Sequence, residues 1–147
     1  MNFDIPRRPR RLRKSASIRA MVEETSLASK DFIFPMFLLE GQQKAIEISS
    51  MPGIYKYSLD NLLNEIGTCI DLGINAFAIF PNLSDDKKDK FAIESYRKGS
   101  LYLEAIHAIK SKYPESCIMT DVAMDPYSSD GHDGLVENGE IINDETL

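Results

Sequence analysis

One segment of the chain gathers ionisable side chains directly behind a short apolar run. Residues 120–135 read TDVAMDPYSSDGHDGL and contain one histidine and four carboxylates, namely Asp121, Asp125, Asp130 and Asp133. Grouped carboxylates can bind a cation or an amine, and they can transfer protons when their pKa values are shifted by burial and by one another. The segment is therefore the first candidate for a site.

The same residues also allow a purely structural interpretation. Asp125-Pro126 and Asp130-Gly131 are turn-forming pairs, and Asp133 would then be solvated. His132, Tyr127 and the serines between them carry no chemistry that their types alone would require. The position of the segment within the fold decides between a site and a set of turns.

Apolar runs and helical patterns alternate along the chain. Continuous apolar runs at 31–41, 74–81 and 117–125 predict three buried strands, and the stretch 46–58 with its Pro-Gly pair predicts a loop. Between the strands lie two predicted helices, one capped by Ser58 and ended by Gly73, the other capped by Ser100 and ended by Pro114.

This βαβαβ order predicts a parallel sheet with right-handed crossovers, in which ligands gather at the carboxyl ends of the strands. The aspartates follow the third strand, so they lie at such an end. Asn143 or Asp144 would cap a further helix. Three strands and the start of a fourth unit make about half of a (β/α)8 barrel, which needs about 250 residues, so the sequence looks like the front part of a longer protein.

The amino-terminal residues differ in charge from the rest. Five arginines, one lysine and Asp4 give residues 1–14 a charge of +5. Because the net charge of the chain is −6, the remaining residues carry −11. The segment 15–25, capped by Ser15 or Ser17, predicts a short helix. This basic arm could bind nucleic acid, lie on an acidic surface of its own or a neighbouring subunit, or be solvated. No aromatic residues interleave with its arginines and the acidic body would repel a polyanion, so we expect no nucleic-acid partner.

The composition limits the class of protein. With 43% apolar and 27% charged residues the chain is globular, and no run approaches the roughly 18 to 20 apolar residues of a membrane span. No apolar segment follows the basic residues as in a secretion signal, so we expect a cytoplasmic protein without a membrane partner. Cys69 and Cys117 are expected to be small buried residues.

Several motifs together resemble one enzyme family. RPRRLRKS, FIFPMFLLEG, SMPGIYKYSLDNLL, LGINAFAIFP and above all TDVAMDPYSSDGHDGLVENGEIINDETL resemble porphobilinogen synthase, also called delta-aminolevulinic acid dehydratase, from about Arg7 to Leu147. The resemblance implies an α/β fold that is the amino-terminal portion of a TIM barrel. Residues 1–30 would form the amino-terminal basic arm with its short helix, and residues 31–147 the first three βα units.

The resemblance also implies an activity and partners. The family condenses two 5-aminolevulinate molecules into porphobilinogen in heme and other tetrapyrrole biosynthesis. The basic arm would embrace a neighbouring subunit of a homo-octamer. The Schiff-base lysines of the family come from the second half of the barrel, so the 147-residue chain by itself is expected to be inactive.

The resemblance assigns roles to the aspartates. Relatives carry either three zinc-binding cysteines in this loop or aspartate and alanine in their place, and here the three positions are Ala123, Asp125 and Asp133. We therefore expect no zinc, and a magnesium-associated enzyme whose allosteric magnesium site lies outside this chain. Asp125 and Asp133 would hold the amino group of the second substrate, or a cation, while Asp121 positions substrate and transfers protons.

Two other classes of function remain open from the sequence. A metal-dependent TIM-barrel aldolase or hydrolase could use Asp121, Asp125, Asp133 and His132 as ligands, although it would not explain the basic arm. A noncatalytic assembly module would use the arm for oligomerisation and leave the aspartates solvated.

Overall fold

The computed structural model describes residues 10–147, so the first nine residues of the basic arm lie outside the described part. The helices are α1 (Ala16–Met21), α2 (Leu59–Asp71), α3 (Leu101–Lys112) and α4 (Asn143–Thr146). The strands are β1 (Ile33–Leu39), β2 (Ala45–Glu47), β3 (Tyr55–Tyr57), β4 (Ala76–Asn82), β5 (Cys117–Thr120), β6 (Val136–Glu137) and β7 (Glu140–Ile141). Single 3-10 turns occupy Arg11–Arg13, Ser29–Asp31, Asp85–Lys87 and Ile93–Ser95.

Five strands form one sheet in the order β2-β3-β1-β4-β5. β1 is parallel to both β3 and β4, and β4 is parallel to β5, whereas β2 is antiparallel to β3. The predicted parallel arrangement of the three long apolar runs is thus present, and their carboxyl ends lie at one edge of the sheet.

One face of this sheet is covered by α2 and α3. Met36, Phe77 and Ile79 point to that face and are at most 1% exposed. They belong to one core cluster with Leu62 and Ile66 of α2 and Ala105 and Ile109 of α3. Burying a side chain of this size contributes about 1.5–3 kcal/mol, so this layer fixes how the strands and helices pack.

The other face of the sheet has no such cover in the described residues. Paired residues of neighbouring strands point to the same side, and the register pairs Ile33 with Ala76 and Cys117, and Pro35 with Ala78 and Met119. We call this surface the open face; its residues on β1, β4 and β5 are Ile33, Pro35, Phe37, Ala76, Ala78, Phe80, Cys117 and Met119, and Lys56 of β3, which pairs with Phe37, lies on the same side. Phe37 and Phe80 stack on it with ring centroids 5.7 Å apart.

The helices begin and end close to the predicted residues. Ser15 caps α1, its hydroxyl accepting a hydrogen bond from the backbone N–H of Ile18 at 3.2 Å. Ser58 stands at the N-cap position of α2, but its hydroxyl donates to Asp60 and accepts from the backbone N–H of Lys44 instead of capping the helix. Gly73 follows α2 with φ of +87°, a conformation that favours glycine.

Several predicted boundaries are wrong. The region 46–58 is not all loop, because β2 and β3 flank its Pro-Gly turn and β3 joins the main sheet. The third strand ends at Thr120 instead of continuing to 125, since the backbone N–H groups of residues 124 and 125 bind a side chain of the following loop. The last helix has Ile142 at its N-cap position, not Asn143 or Asp144.

The two cysteines differ in burial. Cys69 is buried in the core as predicted, but Cys117 is exposed because it lies on the open face. Within residues 10–147 no helix combines the length and the apolar character that a membrane crossing requires.

Candidate active site

The aspartates lie where the sequence places them, at the carboxyl end of β5. Residues 121–135, which we call the aspartate loop, leave the strand directly after Thr120. Parallel strands present their carboxyl ends at a common edge, and the loop therefore stands above the same edge as the ends of β1 and β4.

Asp133 closes the aspartate loop on itself. Its Oδ1 atom accepts hydrogen bonds from the backbone N–H of Met124 at 2.9 Å and of Asp125 at 3.1 Å. A carboxylate that accepts two backbone donors is fixed in orientation as well as held in place. Asp133 therefore has a structural role in addition to any chemical one.

This folding brings Asp125 next to Asp133. Partial burial of the carboxyl group is the largest cause that raises the pKa of Asp125, although the residue as a whole is exposed. The charge of Asp133 and its hydrogen-bonding contact raise that pKa further, and the charge of Asp121 adds a smaller contribution. The three aspartates thus concentrate negative charge that an ammonium group or a cation would relieve.

Asp121 lies against two buried tyrosines. The hydroxyl of Tyr102 on α3 donates to the backbone carbonyl of Ile79 at 2.8 Å, and its ring is 6.4 Å from that of Tyr127. Burial is the main cause that raises the pKa of both phenols; the carboxylate of Asp121 adds to it in each case, whereas the backbone N–H of Asp121 lowers the pKa of Tyr102. Both tyrosines therefore remain protonated near neutral pH.

A second loop anchors the aspartate loop from the side of β4. The backbone N–H of Asp89 donates to the carbonyl of Tyr127, and the backbone N–H of Ser129 donates to the carbonyl of Asp89, each at 3.1 Å. The side chain of Asp89 accepts from the backbone N–H of Phe91 at 2.7 Å and of Ile93 at 3.1 Å. Asp89 thus ties the two loops together while it orders its own.

A cavity of about 550 Å³ opens between α3 and the aspartate loop. Asp121 and Asp133 both line it, together with Tyr102 and Tyr127, whereas Asp125 does not. Ala123 and Met124 supply apolar wall from the loop itself. The structure therefore brings all three predicted aspartates together but exposes only two of them to the cavity.

The residues present do not suit zinc. Of the three loop positions, Ala123 cannot ligate and the other two are Asp125 and Asp133. Neither cysteine of the chain belongs to the loop, because Cys69 is in the core and Cys117 lies on the open face. Among the residues that the structure describes, no group of three or more His, Cys, Asp or Glu side chains is arranged to hold a metal ion. Asp125 and Asp133 supply two adjacent carboxylates, which suits an ion such as Mg²⁺ that keeps several of its waters.

No lysine lines the cavity within residues 10–147. Lys87 forms an ion pair with Glu40, and Lys56 donates to the side-chain oxygen of Asn82 at 3.0 Å. Lys110 donates to the carbonyl of Ser116 at 2.7 Å. The cavity thus has carboxylates and phenols but no amine of the described chain.

The sequence predicts the aspartates of the site but not the residues that contact the aspartate loop. Tyr102 belongs to the apolar stripe of its helix and Asp89 to a charged loop, and neither sequence pattern indicates a role at the site. The contacts that define their roles join residues far apart in sequence, and no local pattern announces them. His132 is exposed.

Comparison with known proteins places this geometry in a family. The family model described as Delta-aminolevulinic acid dehydratase matches residues 6–147. Delta-aminolevulinic acid dehydratase of Chlamydia pneumoniae is 43% identical over 146 residues, which are 99% of this chain and 44% of that protein. The chloroplastic enzyme of Glycine max is 43% identical over 148 residues, covering 99% of this chain and 36% of that protein.

A solved structure agrees with the sequence relatives. The crystal structure of delta-aminolevulinic acid dehydratase (porphobilinogen synthase) from Toxoplasma gondii, in complex with the reaction product porphobilinogen, matches with a TM-score of 0.91 and 41% identity. The match covers 97% of this chain and 41% of that chain, so this chain spans less than half the length of the relatives it matches. The predicted part of a TIM barrel is confirmed, and the chain belongs to the delta-aminolevulinic acid dehydratase family.

Proposed function

We propose that this chain supplies the first βα units and the aspartate loop of a porphobilinogen synthase, which condenses two 5-aminolevulinate molecules into porphobilinogen. The observation that carries the proposal is the gathering of Asp121, Asp125 and Asp133 at the carboxyl end of β5. It is supported by the likeness of the whole chain to a protein whose crystal structure contains porphobilinogen. Family membership favours this function over an aldolase, a hydrolase or a noncatalytic module.

The chemistry needs an anionic surface for the amino group of the substrate. Asp125 and Asp133 would bind the ammonium group of the second 5-aminolevulinate, where charge-assisted hydrogen bonds are strongest. Asp121, which follows β5 and lies next to Tyr102, would position the substrate and accept or return protons as carbon–nitrogen bonds form and break.

A cation is part of the proposal. Mg²⁺ could neutralise the pair formed by Asp125 and Asp133 when no substrate is bound, and we expect the allosteric magnesium site outside this chain. The homo-octamer and the role of the basic arm in it belong to the proposal too. Residues 10–27 of that arm are nearly all exposed, and Leu12, Met21 and Leu27 are 61%, 84% and 75% exposed, which suits a segment that packs on another subunit.

The 147-residue chain should bind the substrate without converting it. The family's reaction passes through imines of lysine, and no lysine lines the cavity in the described residues. With 5-aminolevulinate alone, we expect no porphobilinogen and no borohydride-trapped adduct. Turnover by the isolated chain would contradict this part of the proposal.

Binding tests the role of the aspartates directly. Asp125→Asn and Asp133→Asn should each weaken 5-aminolevulinate binding by about tenfold or more, the size expected for a lost charge-assisted contact. Asp130→Asn changes the same charge in the same loop and is the matched control. Chemical-shift titration of the chain would measure all four affinities; equal weakening by the control, or none by the two variants, would argue against the ammonium site.

A further inference from the structure

The loop that follows β4 contacts the aspartate loop through the backbone of one residue. Residues 89–97, which we call the anchor loop, meet the aspartate loop in a parallel bridge between Asp89 and Ser128. The backbone N–H of Asp89 donates to the carbonyl of Tyr127, and its carbonyl accepts from the backbone N–H of Ser129. The position of the aspartate loop above the sheet therefore depends on where the backbone of Asp89 lies.

This bridge lies at the end of the turn that contains Asp125. The backbone N–H groups of Tyr127 and Ser128 both donate to the carbonyl of Met124, at 2.9 Å and 2.8 Å. Tyr127 is 3% exposed, so its ring fixes the end of the turn in the core. The start of the turn is held by Asp133, which accepts from the backbone N–H of Asp125. A shift of the bridge would therefore change the separation of Asp125 and Asp133.

The anchor loop contains a strained residue close to the bridge. Ala92 has φ of +52° and ψ of +39°, a left-handed conformation that is unfavourable for a residue with a Cβ atom. It is 1% exposed and belongs to the core cluster, so it cannot turn outward to relieve the strain. The carboxylate of Asp89 holds the residues on both sides of it, because it accepts from the backbone N–H of Phe91 at 2.7 Å and of Ile93 at 3.1 Å. Without this carboxylate the turn would relax, and the backbone of Asp89 would move with it.

We propose that Asp89 is a positioning residue for the ammonium site, on which it acts through the anchor loop without contact with the substrate. Its carboxylate holds the strained turn, the turn fixes the bridge, and the bridge sets the separation of Asp125 and Asp133. The anchor loop also contributes Ser95 to the wall of the cavity, whereas Asp89 does not line it. The effect on substrate rests on the proposed function of the two aspartates, but the effect on the loop does not.

The ion pairs of the anchor loop are less suited to this task. Lys90 and Glu137 connect it to the hairpin of β6 and β7, but their charged atoms are 3.9 Å apart and their side chains are 42% and 61% exposed. Such exposed pairs contribute little to stability. Arg97 pairs with Glu94 inside the anchor loop and does not reach the aspartate loop. Positioning therefore depends on the hydrogen bonds of Asp89.

NMR titration of the 147-residue chain tests the proposal. In Asp89→Ala the pKa of Asp125 should fall toward its ordinary value, because the burial of its carboxyl group and the nearness of Asp133 both depend on the position of the loop. Binding of 5-aminolevulinate should weaken by about threefold to tenfold, as expected when a charge-assisted contact is weakened and not removed. Asp89→Asn keeps an oxygen that can accept from Phe91, so it should recover part of both losses.

Two further variants separate positioning from folding. Asp31→Ala removes the same kind of contact at the amino end of β1, where the carboxylate accepts from the backbone N–H of Ala28 at 2.8 Å, and should change neither readout. Ala92→Gly relieves the strain, because glycine adopts a positive φ at little cost. Combined with Asp89→Ala, it should return the pKa of Asp125 and the affinity toward those of the unsubstituted chain. This double variant and Asp89→Asn provide the test if Asp89→Ala alone does not fold.

The outcomes distinguish positioning from the proposed function. An unchanged pKa of Asp125 in Asp89→Ala, with faster hydrogen exchange only at the N–H groups of Phe91 and Ile93, would show a local role and overturn the proposal. A double variant that recovers nothing would also overturn it, since the strain at Ala92 would then not be what Asp89 holds. If the unsubstituted chain does not bind 5-aminolevulinate, the ammonium site fails, whereas the pKa of Asp125 still decides whether Asp89 positions the loop.

Discussion

At the scale of single residues, Asp133 combines two tasks that substitution can separate. Its Oδ1 atom orders the backbone of residues 124 and 125, and its charge raises the pKa of Asp125. Asparagine keeps an oxygen acceptor at the same position but has no charge. The Asp133→Asn variant should therefore keep the loop while removing the repulsion.

The first prediction concerns the titration of Asp125. Asp133→Asn should lower the pKa of Asp125 toward its ordinary value, although the part of the shift caused by burial should remain. Carbon-detected NMR titration of the side-chain carboxyl, in buffer with a chelator, would measure it. Asp130→Asn is the control and should leave the titration of Asp125 unchanged. A pKa of Asp125 that does not fall in Asp133→Asn would show that the two carboxylates do not interact.

The sign of the effect on stability follows from the same shift. The folded-state pKa of Asp125 lies above its unfolded value, so the folded protein binds this proton more tightly than the unfolded chain does. The destabilising contribution of Asp125 is absent below the unfolded pKa and develops as the pH rises through the folded pKa. Asp133→Asn should therefore flatten the dependence of stability on pH in that window.

At the scale of elements, local signals predicted the helices and three of the seven strands, β1, β4 and β5. α2 and α3 carry long apolar stripes between a serine and a helix stop, Gly73 for α2 and Pro114 for α3, and these patterns depend only on neighbours in the chain. β2 and β3 were missed because their residues are at most half buried and form no apolar run. β3 pairs with β1, and β2 pairs with β3, so both strands form through contacts with a distant segment that the sequence of residues 45–57 does not indicate.

The hairpin of β6 and β7 was missed although the sequence carries its signal. Asn138 and Gly139 have φ values of +52° and +83°, which suits the Asn-Gly pair of a tight hairpin turn. The positions of the aspartates were predicted because they follow a strand. Their interaction depends on the closing of the aspartate loop by Asp133, which spans nine residues and has no sequence pattern.

The second prediction tests the packing of that hairpin against the aspartate loop. Gly134 is buried, and a Cβ atom there would lie 2.5 Å from Cγ2 of Ile141 and 3.2 Å from Oγ1 of Thr146. Gly134→Ala should destabilise the chain by about 1–3 kcal/mol, as overpacking does. Urea unfolding would measure the change in the free energy of unfolding of the whole chain. Hydrogen exchange of the backbone N–H of Ile142, which donates to the carbonyl of Leu135, would show whether the stability is lost at the hairpin.

A second substitution distinguishes this clash from a general effect of alanine. Ile141→Ala removes the nearest atom and by itself should cost little, because Ile141 is 49% exposed. Combined with Gly134→Ala it should restore most of the lost stability, which a double-mutant cycle would measure as a coupling free energy. Additive losses in the double variant would mean that contact with Ile141 is not the cause.

At the scale of the whole molecule, the chain is divided by charge and by hydrophobicity. Residues 1–14 carry +5 against −11 for the rest. The open face is apolar except for Lys56, while α2 and α3 cover the opposite side of the sheet. The apolar face suits contact with other apolar surface rather than with water. The basic arm is attracted to acidic surfaces, which predicts an electrostatic contact.

The last prediction isolates the electrostatic contact. Arg10, Arg11 and Arg13 are exposed in the described chain and carry half of the basic charge of residues 1–14. Replacing all three by glutamine should lower the self-association of the chain at low salt, because the arm would be less strongly attracted to the acidic body of another copy.

Raising the salt concentration from about 0.05 M to 0.5 M should also weaken the self-association of the unsubstituted chain, since exposed charges are then screened within a few ångströms. Sedimentation velocity would measure both effects, with the exposed residues Lys44, Lys98 and Lys112, which lie outside the arm, replaced by glutamine as a control of equal charge. Equal dissociation of the control variant would attribute the effect to net charge rather than to the arm.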